Sequence, residues 1–134
     1  MELPPHSGSL KAKQRGLAQQ DGQAAENAAR DFLQAQGFHL VSANYHCRQG
    51  EIDLIMQQPS LLVFAEVRFR SRPDFGGAAA SVTTRKQQKI IASAGAFLHH
   101  HPEFASYNCR FDVLALQKTA GQWHVEWLPA AFTT

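Results

Sequence analysis

Two acids and a cation at strand spacing are where this sequence can do chemistry. Asp53, Glu66 and Arg68 stand in the form GEIDLI…EVR, and twelve residues separate the two carboxylates. Those twelve read as strand, a turn at Pro59-Ser60, and strand. If the strands pair as a hairpin, Asp53 comes near Glu66, and two-residue alternation puts Glu66 and Arg68 on one face. Carboxylates drawn together repel unless a cation joins them. Oxygen ligands with neither thiolate nor clustered imidazole suit Mg²⁺ or Mn²⁺. Such an ion polarises a phosphodiester and activates a water for in-line attack. The plainer alternative is a solvated pair of strand-end acids bridged to Arg68 and Arg70, and spacing alone does not choose between the two.

The surrounding charge permits a phosphate partner without demanding one. Residues 48–89 carry seven cations (Arg48, Arg68, Arg70, Arg72, Arg85, Lys86, Lys89) against four acids (Glu51, Asp53, Glu66, Asp74), a net charge of +3 in a chain of net +2. Lys86 and Lys89 follow a Gly-rich loop at the start of a helix, where they could meet phosphate or simply form a solvated face. Glu26 is either a site acid or an exposed partner of Arg30 four residues on. Asp112, between Phe111 and Val113, is expected to be structural and paired with Arg110 or backbone. His99, His100 and His101 end a helix, where imidazolium complements the dipole, and consecutive residues on a helix cannot converge on one metal. Trp123 and Trp127 are expected to share a packed face, which leaves Phe75 on its loop as the better candidate for stacking on a base.

The elements that must position these groups can be read from periodicity. Residues 1–20, with few large aliphatics and several Pro, Ser, Gly, Lys and Gln, read as a flexible basic arm before a single domain over 21–134. Asp21 is expected to cap a first helix with a stripe of Ala24, Ala25, Ala28, Ala29, Phe32 and Leu33, ended by Gly37. Strands follow at 38–47, irregular near Asn44, then at 51–57 and 61–70. In the second, Glu51, Asp53 and Ile55 are expected on one face and Ile52, Leu54 and Met56 on the other. A Pro/Gly-rich loop over 71–81 leads to a helix at about 82–99, then strands at 108–117 and 123–128. Short turns favour an antiparallel meander for the first three strands, and the second helix permits a right-handed crossover to a parallel partner. The expected architecture is α/β: a central mixed sheet flanked by helices.

With 134 residues, 44% hydrophobic, the chain fits one domain with one core. No apolar run approaches a membrane span, and the N-terminus lacks the apolar segment of a secretory signal. The expectation is a cytoplasmic protein with no membrane contact and with Cys47 and Cys109 as reduced thiols.

An ordered series of residues adds to this. Gly22, Glu26, Ala29, Leu33, Gly37-Phe38, Asn44, Gly50-Glu51-Ile52-Asp53-Leu54-Ile55, Phe64-Ala65-Glu66-Val67-Arg68, Lys86 and Arg110-Phe111-Asp112 resemble, in order and spacing, the YraN family of uncharacterised bacterial proteins over about residues 22–127. That family is similar to archaeal Holliday-junction resolvases and the wider PD-(D/E)xK nucleases. The resemblance implies a restriction-endonuclease-like fold and a Mg²⁺- or Mn²⁺-dependent endonuclease acting on structured or branched DNA. It implies Glu26 as the helical acid, Asp53 and Glu66 as metal ligands, and Arg68 where the superfamily places lysine; Arg70, Arg72, Lys86 and Lys89, from the cation-rich stretch 48–89, are the expected nucleic-acid contacts. It also implies a homodimer, because cutting symmetric strands needs two sites, though no feature marks a dimer face. Arginine stays charged and cannot serve as a base, so the alternative is a catalytically weak or inactive nucleic-acid-binding module on the same fold.

Overall fold

The computed structural model describes residues 7–70 and 81–134, with side chains from residue 21 on. Along the described chain run α1 (Ser7–Ala35), β1 (His39–Cys47), β2 (Gly50–Gln58), β3 (Leu61–Arg70), α2 (Thr84–His100), a 3-10 turn (Pro102–Phe104), β4 (Asn108–Thr119) and β5 (Gln122–Phe132). The five strands form one sheet in sequence order. Neighbours are antiparallel at β1–β2, β2–β3 and β4–β5 and parallel at β3–β4. Tight turns can join only antiparallel neighbours, whereas the stretch containing α2 gives the length a parallel return needs. This is the mixed α/β sheet the sequence led us to expect.

Among the described residues, each face of the sheet is covered by one helix. Ala25, Ala29 and Leu33 of α1 pack with Leu54, Met56, Val63, Ala65, Leu114 and Leu116. Ile90, Ala94 and Phe97 of α2 pack on the opposite face with Ile52, Ile55, Leu62, Phe64, Phe111 and Val113. Strands β3 and β4, buried on both faces, are therefore near-continuous apolar runs. Trp123 and Trp127 do share the α1 face: Trp127 meets Phe32 edge-on at 5.7 Å, and Trp123 meets Phe69 at 5.8 Å.

Helix ends follow capping chemistry at three of the four termini in view. Gly37, at φ 95°, ends α1 as expected, with its N–H on the Gln34 carbonyl and the Phe38 N–H on Leu33. Thr83 caps α2, its hydroxyl accepting the Lys86 N–H at 3.1 Å. The His101 N–H closes the other end on the Leu98 carbonyl. Asp21 does not cap α1, because the backbone is already helical from Ser7. The stretch KAKQRGLAQQ is rich in strong helix formers, a signal that the scarcity of large aliphatics concealed. Strand β5 also runs past the expected Leu128 to Phe132. The buried Asp112 carboxylate binds Arg110 twice at 2.9 Å and accepts from Trp127 Nε1 and the Ala130 N–H, carrying the strand through Ala130 at φ 52°. Asp112 is thus structural, as expected.

The strict alternation expected for β2 does not hold. Ile52 packs with Ile55 on the α2 face, whereas Leu54 and Met56 lie on the α1 face. The change of phase falls at Asp53. Across the ladder, Tyr45 pairs with Ile52 and Ala43 with Leu54, while Asn44 between them takes a left-handed φ of 54°. Asparagine is among the few residues that tolerate this conformation. Both strands therefore switch faces at one level, and that level carries the acid.

Candidate functional site

The β2–β3 ladder stops at the pair Leu54 with Ala65, one step short of Asp53 and Glu66. Where the strands part, the Asp53 carboxylate takes the place of the missing ladder partner and accepts the Val67 N–H at 2.8 Å. Its carboxyl is also hydrogen-bonded to that of Glu66. On β3, Phe64 faces α2 and Ala65 faces α1, so alternation sends Glu66 and Arg68 toward α2. There Arg68 Nη1 lies 3.5 Å from Glu66 Oε2, and Lys86 Nζ of α2 lies 3.9 Å from the same oxygen. The hairpin expectation thus holds for Asp53, Glu66 and Arg68. Lys86, expected only as a phosphate contact, is brought to the carboxylates as well.

The electrostatics are those of two acids confined together. Burial raises the Asp53 carboxyl above its ordinary range, opposed by the Val67 N–H and the hydrogen bond from Glu66. Glu66 is pushed up to about 8, first by burial and then by the Asp53 charge, with Lys86 and Arg68 pulling the other way. Burial and mutual repulsion thus raise both carboxyls, and Glu66 largely keeps its proton at neutral pH. A side chain 6% exposed that keeps a proton at pH 7 beside two cations is a place where a divalent cation can exchange for a proton.

Glu26 is held apart from this pair. Its carboxylate accepts the Asn44 side-chain amide at 2.6 Å. Burial raises its pKa, which the Asn44 bond opposes and the Asp53 charge reinforces. Glu26, Asn44, Glu51, Asp53, Val67 and Phe69 line a cavity of about 510 Å³ against Gly22 and Ala25. The left-handed turn at Asn44 therefore does two things: it resets the faces of β1 and β2, and it ties the helical acid to the sheet. The irregularity near Asn44 was legible in the sequence, but its bond to Glu26 was not.

Among the described residues, no three side chains of His, Cys, Asp or Glu converge on one point. The donor set is two carboxylates. It fits a hard cation of the Mg²⁺ type, which is commonly held by one or two carboxylates and completes its shell with water and substrate phosphate. Of the other expected phosphate contacts, Lys89 is exposed on α2, and Arg70 ends β3 and is half-buried. Arg72 and Phe75, with the rest of 71–80, lie outside the described residues. Cys47 and Cys109 are unpaired thiols, and no described helix is long and apolar enough to cross a membrane.

Comparison with known proteins places this geometry in a family. Residues 25–116, which contain Glu26, Asn44, Asp53, Glu66, Arg68 and Lys86, match the model of "Uncharacterised protein family UPF0102". The chain is 53% identical over 112 residues to a UPF0102 protein of Saccharophagus degradans, covering 84% of this chain and 92% of the relative. It is 46% identical over 112 residues to one of Alcanivorax borkumensis (83% and 90% covered). A third, from Pseudomonas putida GB-1, is 44% identical over 113 residues (83% and 91% covered).

Proposed function

This chain belongs to the UPF0102 family, and on that footing we propose that it is a metal-dependent endonuclease of restriction-endonuclease-like fold, acting on structured or branched DNA. The observation that carries the reading is the Asp53–Glu66 pair, hydrogen-bonded carboxyl to carboxyl with Arg68 and Lys86 beside it. Its likeness to the strand aspartate and E-x-K pair of the PD-(D/E)xK nucleases gives the reaction class. The cytoplasmic setting and the homodimer belong to the same proposal.

Asp53 and Glu66 would hold Mg²⁺ or Mn²⁺, which when bound polarises a phosphoryl oxygen and acidifies a water. The chain's own groups divide the remaining work. Asp53, fixed by the Val67 N–H, orients the pair. Glu66 would release its proton to solvent on holding the ion, so that both carboxylates could serve as ligands. Arg68 brings a guanidinium that stabilises the charge building on the phosphate in the transition state. Lys86 brings to Glu66 the amine that β3 lacks at position 68, and Lys89 and Arg70 offer charge to the flanking backbone. Glu26, held by Asn44, bounds the cavity on the α1 side.

One observation favours the second reading, a binding module without turnover: no third acid, His or Cys joins the pair among the described residues. Incubation of a four-armed DNA junction and a linear duplex with the protein in Mn²⁺ separates the readings. The endonuclease reading expects cleavage of the junction by wild type, with loss of at least ~10²-fold in Asp53→Asn. Equal binding by both proteins with no cleavage would leave the binding module.

A further inference from the structure

Strand β3 runs on past the acid pair, and alternation returns Val67 and Phe69 to the α1 face. Phe69 remains 37% exposed, one of two large apolar side chains left open to solvent among the described residues. The other, Leu40, lies on the edge strand β1. Phe69 is nevertheless held in place. The Trp123 ring of β5 meets it edge-on at 5.8 Å and 72°. Lys118 of β4, opposite Trp123 in the ladder, holds its ammonium 5.5 Å from the centre of that ring. The three side chains form a shelf of two rings and a cation at the C-terminal ends of the parallel pair β3–β4. Ligands commonly bind beyond the carboxyl ends of such strands.

The shelf opens onto the acid site from the α1 side. Phe69 and Val67 share the cavity of about 510 Å³ with Glu26, Glu51 and Asp53, a size in the range of small-ligand sites. The Asp53 carboxylate accepts the Val67 N–H at 2.8 Å, and Phe69 follows roughly 7 Å further along the strand. Charge narrows what can fill this space. Its three carboxylates repel a phosphate, and among the described residues no cation lines it. Carboxylates do accept N–H groups, and the Asn44 amide occupies only one oxygen of Glu26. A planar group with amino donors on its edge and an apolar face suits both walls. A nucleobase has that chemistry. Only an unpaired base presents its face, because a base inside a duplex is already stacked on its neighbours.

We propose that Phe69, braced by Trp123, stacks on an unpaired base of the nucleic acid whose backbone lies at the Asp53–Glu66 site. The proposal rests on the nucleic-acid reading above and deepens it. The feature recognised is a base left out of the helix, as at a branch or bulge, rather than duplex as such. The base enters the cavity on the α1 side, while Arg68 and Lys86 meet the backbone on the α2 side. Lys118 offers its charge to a neighbouring phosphate at the rim of the shelf.

Fluorescence anisotropy in chelator, where no turnover occurs, tests this with two labelled 20-base-pair duplexes. One is fully paired, and the other carries a single unpaired adenine, whose amino group can donate to the cavity's carboxylates. Stacking on an aromatic side chain changes affinity by about 5- to 150-fold per base. Wild type should bind the unpaired probe at least about fivefold more tightly than the paired one. Phe69→Ala and Phe69→Leu should bind both probes equally, at the wild-type affinity for the paired duplex, and Phe69→Trp should restore the preference. Phe69→Leu keeps an apolar side chain against Trp123, so its loss of preference reads the ring itself. The proposal is overturned if Phe69→Leu keeps the full preference, or if wild type binds the two probes equally while the nucleic-acid reading stands. Binding of neither probe would overturn both.

Discussion

Arg68 and Lys86 approach one carboxylate oxygen, Glu66 Oε2, at 3.5 and 3.9 Å, and they are not equivalent there. A guanidinium contributes fixed charge and directed N–H groups, whereas an ammonium is a compact charge that can also part with its proton. If Arg68 acts through charge alone, Arg68→Lys should keep much of the Mn²⁺-dependent cleavage and Arg68→Ala should lose at least ~10²-fold. If Lys86 supplies the amine, Lys86→Arg should fail to restore what Lys86→Ala loses. Initial rates on a branched duplex distinguish these outcomes, and a gain of activity in Arg68→Lys would show that an amine is needed on β3 itself. Asp53, Glu66 and Arg68 were legible because they lie on consecutive strands joined by a two-residue turn, where register follows from chain order. The approach of Lys86 was not legible, because it depends on where a helix lands after a long connection.

At the scale of elements, the phase change at Asn44 and Asp53 shapes the site. A regular β2 would place Asp53 by simple alternation. Instead, Asn44 at φ 54° turns both strands over at its level, and the Asp53 carboxylate meets the Val67 N–H just beyond the last β2–β3 pair. Asn44→Gly should retain the turn while losing the bond to Glu26. Asn44→Ala should lose the bond and also strain the backbone, at about 1–2 kcal/mol more for the left-handed conformation. Urea denaturation of the two variants reads that difference, and equal midpoints would mean the φ value is not needed for the fold. Periodicity in GEIDLIM could not reveal this, since every residue type in it is compatible with an unbroken strand. The start of α1 escaped for a related reason: Ala, Lys, Gln and Arg favour helix without leaving an apolar stripe.

At the scale of the whole molecule, an α2-covered face and an α1-covered face meet at the acid pair, so the pair's ionisation is felt in global stability. Glu66 has a folded-state pKa of about 8 against an ordinary 4.5. A carboxyl raised in this way costs the fold nothing below its unfolded value. Its penalty grows as pH rises from about 4.5 and is complete above about 8. Divalent metal, binding only the folded deprotonated site, should remove the penalty in the range where it is largest. The measurement is therefore the melting temperature at pH values from 5 to 9, in chelator and in millimolar Mn²⁺, for wild type and Glu66→Gln. In chelator, wild type should lose stability across pH 5 to 8 relative to Glu66→Gln, whose own profile lacks that fall. Mn²⁺ should raise the wild-type melting temperature most at pH 8 and above and leave Glu66→Gln nearly unchanged. An equal Mn²⁺ response in both proteins, or a wild-type profile in chelator parallel to that of Glu66→Gln, would contradict a metal site at Asp53 and Glu66.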